Sequence, residues 1–177
     1  VIKFNFKPLS IQNAENDVKA KLKKLVQDET LLNQIGEAMI KDLKFQARKG
    51  TNPVTGGKFI PLSPKWIKER QKISEAQSVH ETFKANRSNV TITGQLLDAL
   101  RKNVLGRKLI IFFDGIHKPY KAKRVRNPGQ GNRTIGKPIK NSLLAEYVNQ
   151  IRPFFIVREK LLPQLKTIVI RYIRRNL

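Results

Sequence analysis

Five consecutive apolar residues, Leu109-Ile110-Ile111-Phe112-Phe113, constrain this chain more than any other feature. A strand without polar alternation has both faces to bury, so this run predicts a central strand in a sheet covered by helices. Ahead of it, Leu97, Leu100 and Val104 fall at i, i+3 and i+7, with Leu96 beside them. That spacing predicts a short amphipathic helix over 93–104. Thr93 is its expected cap, because a threonine hydroxyl can accept a backbone N–H left free at a helix start. Gln95, Asp98, Arg101 and Lys102 are left on its solvent side. Leu105-Gly106-Arg107 ends the helix, and Asp114-Gly115 is a two-residue hairpin signal, since both residue types tolerate positive φ. Residues 90–115 therefore read as a helix feeding directly into a core strand.

The 177 residues are read as one domain, 1–177, with an N-terminal arm or strand over 1–10 and a basic loop or hairpin insertion over 116–141. A chain of this length buries roughly 70% of the surface its unfolded form exposes, so neither a metal nor a disulfide is required for stability. It has no cysteine, which excludes disulfides, thiolate catalysis and cysteine-based zinc sites. No apolar run approaches the roughly 18 residues of a membrane span, and no signal-peptide pattern is visible, so a soluble protein without membrane partners is expected. Thirty-six Lys and Arg against thirteen Asp and Glu give a net charge of +23. A field of that size calls for an anionic partner: nucleic acid, an acidic protein surface or anionic lipid.

Ile2, Phe4 and Phe6 alternate with Lys3 and Asn5 as in a short edge strand. From Ile11 the period becomes helical, with Ala14, Val18, Leu22 and Leu25 on one stripe and Lys19, Lys21, Lys23 and Lys24 outside it. Leu32, Ile35, Met39 and Leu43 repeat the stripe, Asp28 can cap that second segment, and Gly50 can close it. The sequence leaves open whether 12–49 is one helix or two. Gly56-Gly57 and three prolines make 51–64 a loop, pinned by Phe59 and Leu62. Ser63-Pro64 then signals a helix start, with Trp66, Ile67, Arg70 and Ile73 following and Trp66 as a core anchor. The polar stretch 74–89 reads as a linker or mobile loop. Over 116–140 the chain holds Lys118, Lys121, Lys123, Arg124, Arg126, Arg133, Lys137 and Lys140 without one carboxylate. Prolines and glycines there oppose regular structure, although 121–126 is compatible with a strand and hence with a basic hairpin with a flexible tip. Residues 141–150 read as a helix and 154–157 as a strand or buried turn. Residues 160–177 carry Leu161, Leu165, Ile168 and Tyr172 on one stripe. That favours a terminal helix, with the β-branched run 167–170 keeping a strand open.

Catalytic chemistry is absent from the pattern. His80 and His117 lie in loop-like parts without carboxylates at ligand spacing, and neither joins a nucleophile–base arrangement. Gly131 to Lys137 fits the glycine and lysine positions of a phosphate-binding loop, but Pro138 stands where a hydroxyl should hold Mg²⁺. No catalytic residue, cofactor or metal is expected.

Four segments in order resemble a known family. Gly57-Lys58-Phe59-Ile60-Pro61-Leu62-Ser63-Pro64 looks like a G-x-W/F-x-P-L-S-P approach to a helix. Thr93-Gly94-Gln95-Leu96-Leu97-Asp98-Ala99-Leu100 looks like T-G-x-L-x-x-S-I ahead of an apolar strand. Tyr147-Val148-Asn149-Gln150 is similar to Y-A-x-x-H-Q, and Ile151-Arg152-Pro153-Phe154-Phe155 is similar to P-x-R-P-F-L before a C-terminal helix. The family is that of tailed-bacteriophage virion morphogenesis proteins, the tail-completion or neck proteins, including Mu-type members. The resemblance spans roughly residues 31–177. The chain departs from the pattern in Val148, in lacking the glycine after the third motif, and in a longer, more basic 116–140.

The resemblance implies an α+β fold: a small antiparallel sheet packed by a long N-terminal helix, with a C-terminal helix and the long basic loop. Its structural positions here would be Pro61, Leu62, Ser63, Pro64, Thr93, Gly94, Leu97, Tyr147, Arg152, Pro153 and Phe154. It further implies a virion protein assembled in the host cytoplasm as a homo-oligomeric ring, six-fold or twelve-fold, at the neck. Its partners would be a portal-adaptor or head-completion protein and a tail terminator or tail tube protein, with DNA in the lumen. The eight basic residues of 116–140 would meet that DNA or an acidic partner. The competing reading is a non-enzymatic basic nucleic-acid-binding protein, genome-condensing or ribosome-associated, although no recognition-helix, zinc or stacking signature is present.

Overall fold

The computed structural model describes residues 8–26, 28–124 and 131–176. The expected strand at 2–6 lies outside the described residues, as does Arg126. The fold is α+β. Two helices, α1 (Pro8–Val26) and α2 (Glu29–Lys49), settle the question left open by the sequence. Asp28 separates them: its carboxylate accepts from the Thr30 amide at 2.7 Å as the cap of α2. Gly50 ends α2 in the left-handed conformation, φ +74°, with its amide on the Ala47 carbonyl. A β-carbon there would sit 2.5 Å from the Ser88 carbonyl oxygen, so both the conformation and the space require glycine.

The stretch 90–115 differs from its expected form. Its helix is one turn, α4 (Gln95–Asp98), preceded in the chain by α3 (Pro64–Ala76). Gly94, at φ +88°, occupies the cap, and the Thr93 hydroxyl is buried without a partner. From Leu100 the chain is a strand, β1 (Leu100–Leu105), paired antiparallel with β2 (Lys108–Phe113). The hairpin turns at Gly106-Arg107, with Gly106 at φ +60°, and not at Asp114-Gly115. The physical reason is that Leu100 and Val104 suit an alternating period as well as a helical one. Lys102, the residue between them, hides the alternation. Its stem runs inward along α2 and its ammonium donates to the Asn33 carbonyl (2.9 Å) and to Glu37 (2.8 Å). Gly36 of α2 allows this approach, since a β-carbon there would meet Leu109 and the Lys102 stem within 3.0 Å.

Nor is β2 central. It belongs to a two-stranded sheet whose inner face carries Leu109, Ile111 and Phe113, while Ile110 and Phe112 remain 41% and 39% exposed. α2 crosses the inner face. The main core gathers Leu43 and Ala47 of α2, Phe59, Leu96, Leu97, Leu100, Phe113 and Phe154, closed by Ala145 of α5 (Asn141–Ile151). Phe154 is fully buried in a turn, not a strand; the Asn149 side-chain oxygen accepts from both the Phe154 and Phe155 amides at 2.9 Å. Both rings pack on Phe113, with centroids 5.9 and 5.2 Å away. After a 3-10 turn at Glu159–Leu161, α6 (Leu162–Asn176) packs along α1 and α2. The terminal stretch is therefore a helix. Arg158 ties this end to α2 by a fork onto Asp42.

Candidate functional site

The basic segment is more ordered than its prolines and glycines suggest. It folds back on itself as two short nested ladders. β3 (Ile116–His117) pairs with β6 (Ile139–Lys140), and β4 (Tyr120–Ala122) pairs with β5 (Arg133–Ile135). These residues do pair as antiparallel ladders, but the strand expected over 121–126 is only Tyr120–Ala122, and 125–130 lie outside the described residues. The register of the ladders decides which side chains face outward. His117, Tyr120, Ala122 and Ile135 turn inward, and Ala122 packs with Ile73 of α3 and Ile92, flanked by Trp66, Val79 and Phe83. Side-chain amides clamp the outer strand, with Gln95 accepting from the Lys118 amide and Gln77 from the Lys121 amide, both at 2.9 Å. The base of the hairpin is thus fastened to α3 and to the segment 89–96.

The seven of the eight cations that lie among the described residues divide on this scaffold. Arg133 pairs with Glu69, 64 residues away in sequence, and Lys123 approaches Glu75 at 3.8 Å, so two of them answer carboxylates on α3. Arg124 is exposed. Lys118, Lys121, Lys137 and Lys140 are exposed, and none of their ammonium groups has a hydrogen-bond or ion-pair partner among the described residues. They form the cationic surface of the hairpin.

Under the hairpin lies a cavity of ≈ 340 Å³. The structure brings together there residues from all four sequence motifs, namely Leu62, Thr93 with Gly94, Val148 and Arg152, along with Lys137 of the basic segment. The remaining motif residues hold the fold. Ser63 caps α3 by accepting from the Trp66 amide at 3.2 Å, and Pro64 is its first residue. Leu97 and Phe154 are fully buried, whereas Tyr147 is half exposed and Pro61 is at the surface. Pro153 precedes the Phe154 turn and is partly buried.

Arg70 is the residue the sequence reading undervalued. It is 1% exposed and has no carboxylate partner among the described residues. Its guanidinium donates to the carbonyls of Arg87 (2.7 Å) and Thr91 (2.9 Å) and to the Asn89 side-chain oxygen (3.0 Å). The Phe83 ring lies 4.9 Å away. Segment 77–94 is therefore wrapped around one buried cation, which accounts for its lack of helix or strand without making it a free linker. Burial, with the Arg152 charge acting in the same direction, lowers the Arg70 pKa to about 10, so it stays charged at neutral pH. A signal was available: an arginine on the Trp66–Arg70–Ile73 stripe cannot face the core without a set of acceptors. His117 is buried against the Tyr120 hydroxyl at 3.1 Å, and burial holds its pKa below the usual histidine value. Burial also pushes the Tyr120 phenol up to about 12.

Among the described residues, no three His, Cys, Asp or Glu side chains are grouped to hold a metal ion, and no helix is long and apolar enough to cross a membrane. No family model matches the chain, and neither does any curated protein or solved structure.

Proposed function

We propose that this chain is a structural virion protein of the phage neck, a tail-completion subunit that forms a ring and helps join head to tail around the DNA channel. The observation that carries the reading is the set of four lysines, unpartnered among the described residues, on a hairpin whose base is fastened to the core. Such a surface is preorganised for an anionic partner, and its inner side is too well packed to serve as a loose, sequence-independent arm. Two apolar surfaces support assembly. The outer face of the β1–β2 hairpin presents Leu105, Ile110 and Phe112, and α5 presents Leu143, Tyr147 and Ile151 at i, i+4 and i+8. Among the described residues, both strands of that sheet also have an unpaired outer edge, a natural joint between neighbouring subunits. The order of the four motifs points the same way.

The test is native mass, measured on the protein alone and with head-completion and tail proteins. A closed homo-oligomer, or a defined complex with a neck or tail component, is expected. A monomer that ignores those components and retards DNA with a steep salt dependence would favour the nucleic-acid-binding alternative.

A further inference from the structure

Of the residues that line the cavity beneath the hairpin, only Lys137 also belongs to the docking surface of the assembly reading. The cavity walls are apolar, built from Trp66, Ile92, Leu96, Ile135, Ile139 and Leu144. Its charged lining residues are all cations, Arg70, Lys137 and Arg152, and no Asp or Glu lines it. The hydrogen-bonding groups around it are unbalanced. Arg152 spends its Nε on the Ser88 hydroxyl at 3.1 Å, and its terminal nitrogens find no acceptor among the described residues. Lys137 has none either. The Gln95 oxygen is taken by the Lys118 amide, and its amino group has no acceptor among the described residues. Arg70 and Arg152 are close enough for their charges to repel. A guest that filled the apolar walls and brought acceptor oxygens to this rim would satisfy every one of these groups.

We propose that the cavity binds an apolar group ending in a carboxylate, with its apolar body among Trp66, Leu96 and Ile139 and its carboxylate on Arg152 and Lys137. The volume of ≈ 340 Å³ lies at the small end of ligand sites, which run from about 300 to 1,000 Å³, and suits an aliphatic chain of about ten carbons or a pair of leucine side chains. A free carboxylic acid and the C-terminus of a partner chain share this chemistry. The inference does not rest on the neck assignment.

Trp66 is the only tryptophan of the chain and lines the cavity, so its fluorescence reports occupancy directly. The intact protein is titrated at physiological salt with decanoate and with decanol, and with acetyl-Gly-Gly-Leu-Leu as the free acid and as the amide. A saturable change is expected with a carboxylate, at least tenfold weaker with its neutral counterpart and at least tenfold weaker in Arg152→Gln. Lys137→Gln, at an exposed position, should weaken binding several-fold without touching the fold. Tighter binding of decanoate assigns the site to a small molecule, and tighter binding of the peptide acid assigns it to a partner's C-terminus. No saturable change with either acid, or equal affinity for acids and neutral counterparts in the wild-type protein, overturns the proposal.

Discussion

Replacing Arg70 with methionine should be among the most damaging single changes in the molecule, although Arg70 carries no salt bridge among the described residues. Methionine matches the stem and supplies a soft apolar end, so packing on Ile73 and Phe83 is largely retained. What disappears is the guanidinium that holds the Arg87 and Thr91 carbonyls and the Asn89 side chain at 2.7–3.0 Å. Hydrogen bonds to a charged group are worth about 1.5–3 kcal/mol each, and stacking on Phe83 adds about 0.5–2 kcal/mol. These act as one network, so their separate values do not add, and methionine also spares the desolvation cost of the buried charge. A net loss of about 3–5 kcal/mol follows, because buried acceptors left without a donor cost about 1–3 kcal/mol each. Against a total stability of about 5–15 kcal/mol that is a large fraction. Urea unfolding followed by Trp66 fluorescence measures it, one helical turn from the altered site. Arg70→Lys should recover only part of the loss, because one ammonium cannot reach three acceptors in the geometry of a planar fork. Proteolysis should move cleavage into 77–94 in Arg70→Met under native conditions. A midpoint shift corresponding to less than about 1 kcal/mol, with 77–94 still protected, would refute the claim that Arg70 organises that segment.

Three further outcomes follow from the same geometry. Gly50→Ala should cost about 2 kcal/mol or more, from left-handed strain of about 1–2 kcal/mol plus the clash with the Ser88 carbonyl; an unchanged thermal midpoint would mean the α2 terminus is mispositioned. Leu100→Ala, at a position 3% exposed on β1, should cost about 2–5 kcal/mol in chemical denaturation, and a loss under 1 kcal/mol would place Leu100 outside the core. Because burial lowers the folded-state pKa of His117, the stability it supports is present above its unfolded value of about 6.5 and is lost as pH falls through the folded value. His117→Gln should therefore flatten the stability–pH curve below about pH 6.5, and curves that stay parallel throughout would exclude His117 as the source.

What could be read from the chain was local. Asp28, Gly50 and Ser63-Pro64 act within three or four residues of themselves, and each performs the capping role its chemistry implies. The error at 93–104 has a different origin. Leu97, Leu100 and Val104 satisfy a helical period, but pairing with 108–113 gives Leu100–Leu105 a full ladder, and a helix there would have left β2 unpaired. Lys102 concealed the strand because its inward stem ends in a charge that reaches Glu37, sixty-five residues away in sequence. The candidate site was legible as a concentration of charge, not as a surface. Which lysines stay free is set by register and by Glu69 and Glu75 on α3, and neither follows from the composition of 116–140. The cavity could not be anticipated either, since it exists only where the 57–64, 89–96, 135–139 and 144–152 segments meet.

The central claim is that the hairpin lysines dock on an anionic partner during head–tail joining. It is tested most directly by changing Lys118, Lys121, Lys137 and Lys140 together to Ser and supplying the variant to particles that lack the native protein. All four are exposed and unpartnered among the described residues, so the isolated variant should keep its unfolding midpoint within about 1 kcal/mol of the original. Electron microscopy of the lysate should then reveal filled heads and complete tails that remain separate. Joined, infectious particles at the normal yield, from a variant that folds normally, would contradict the account and leave those lysines as a solvated charge run.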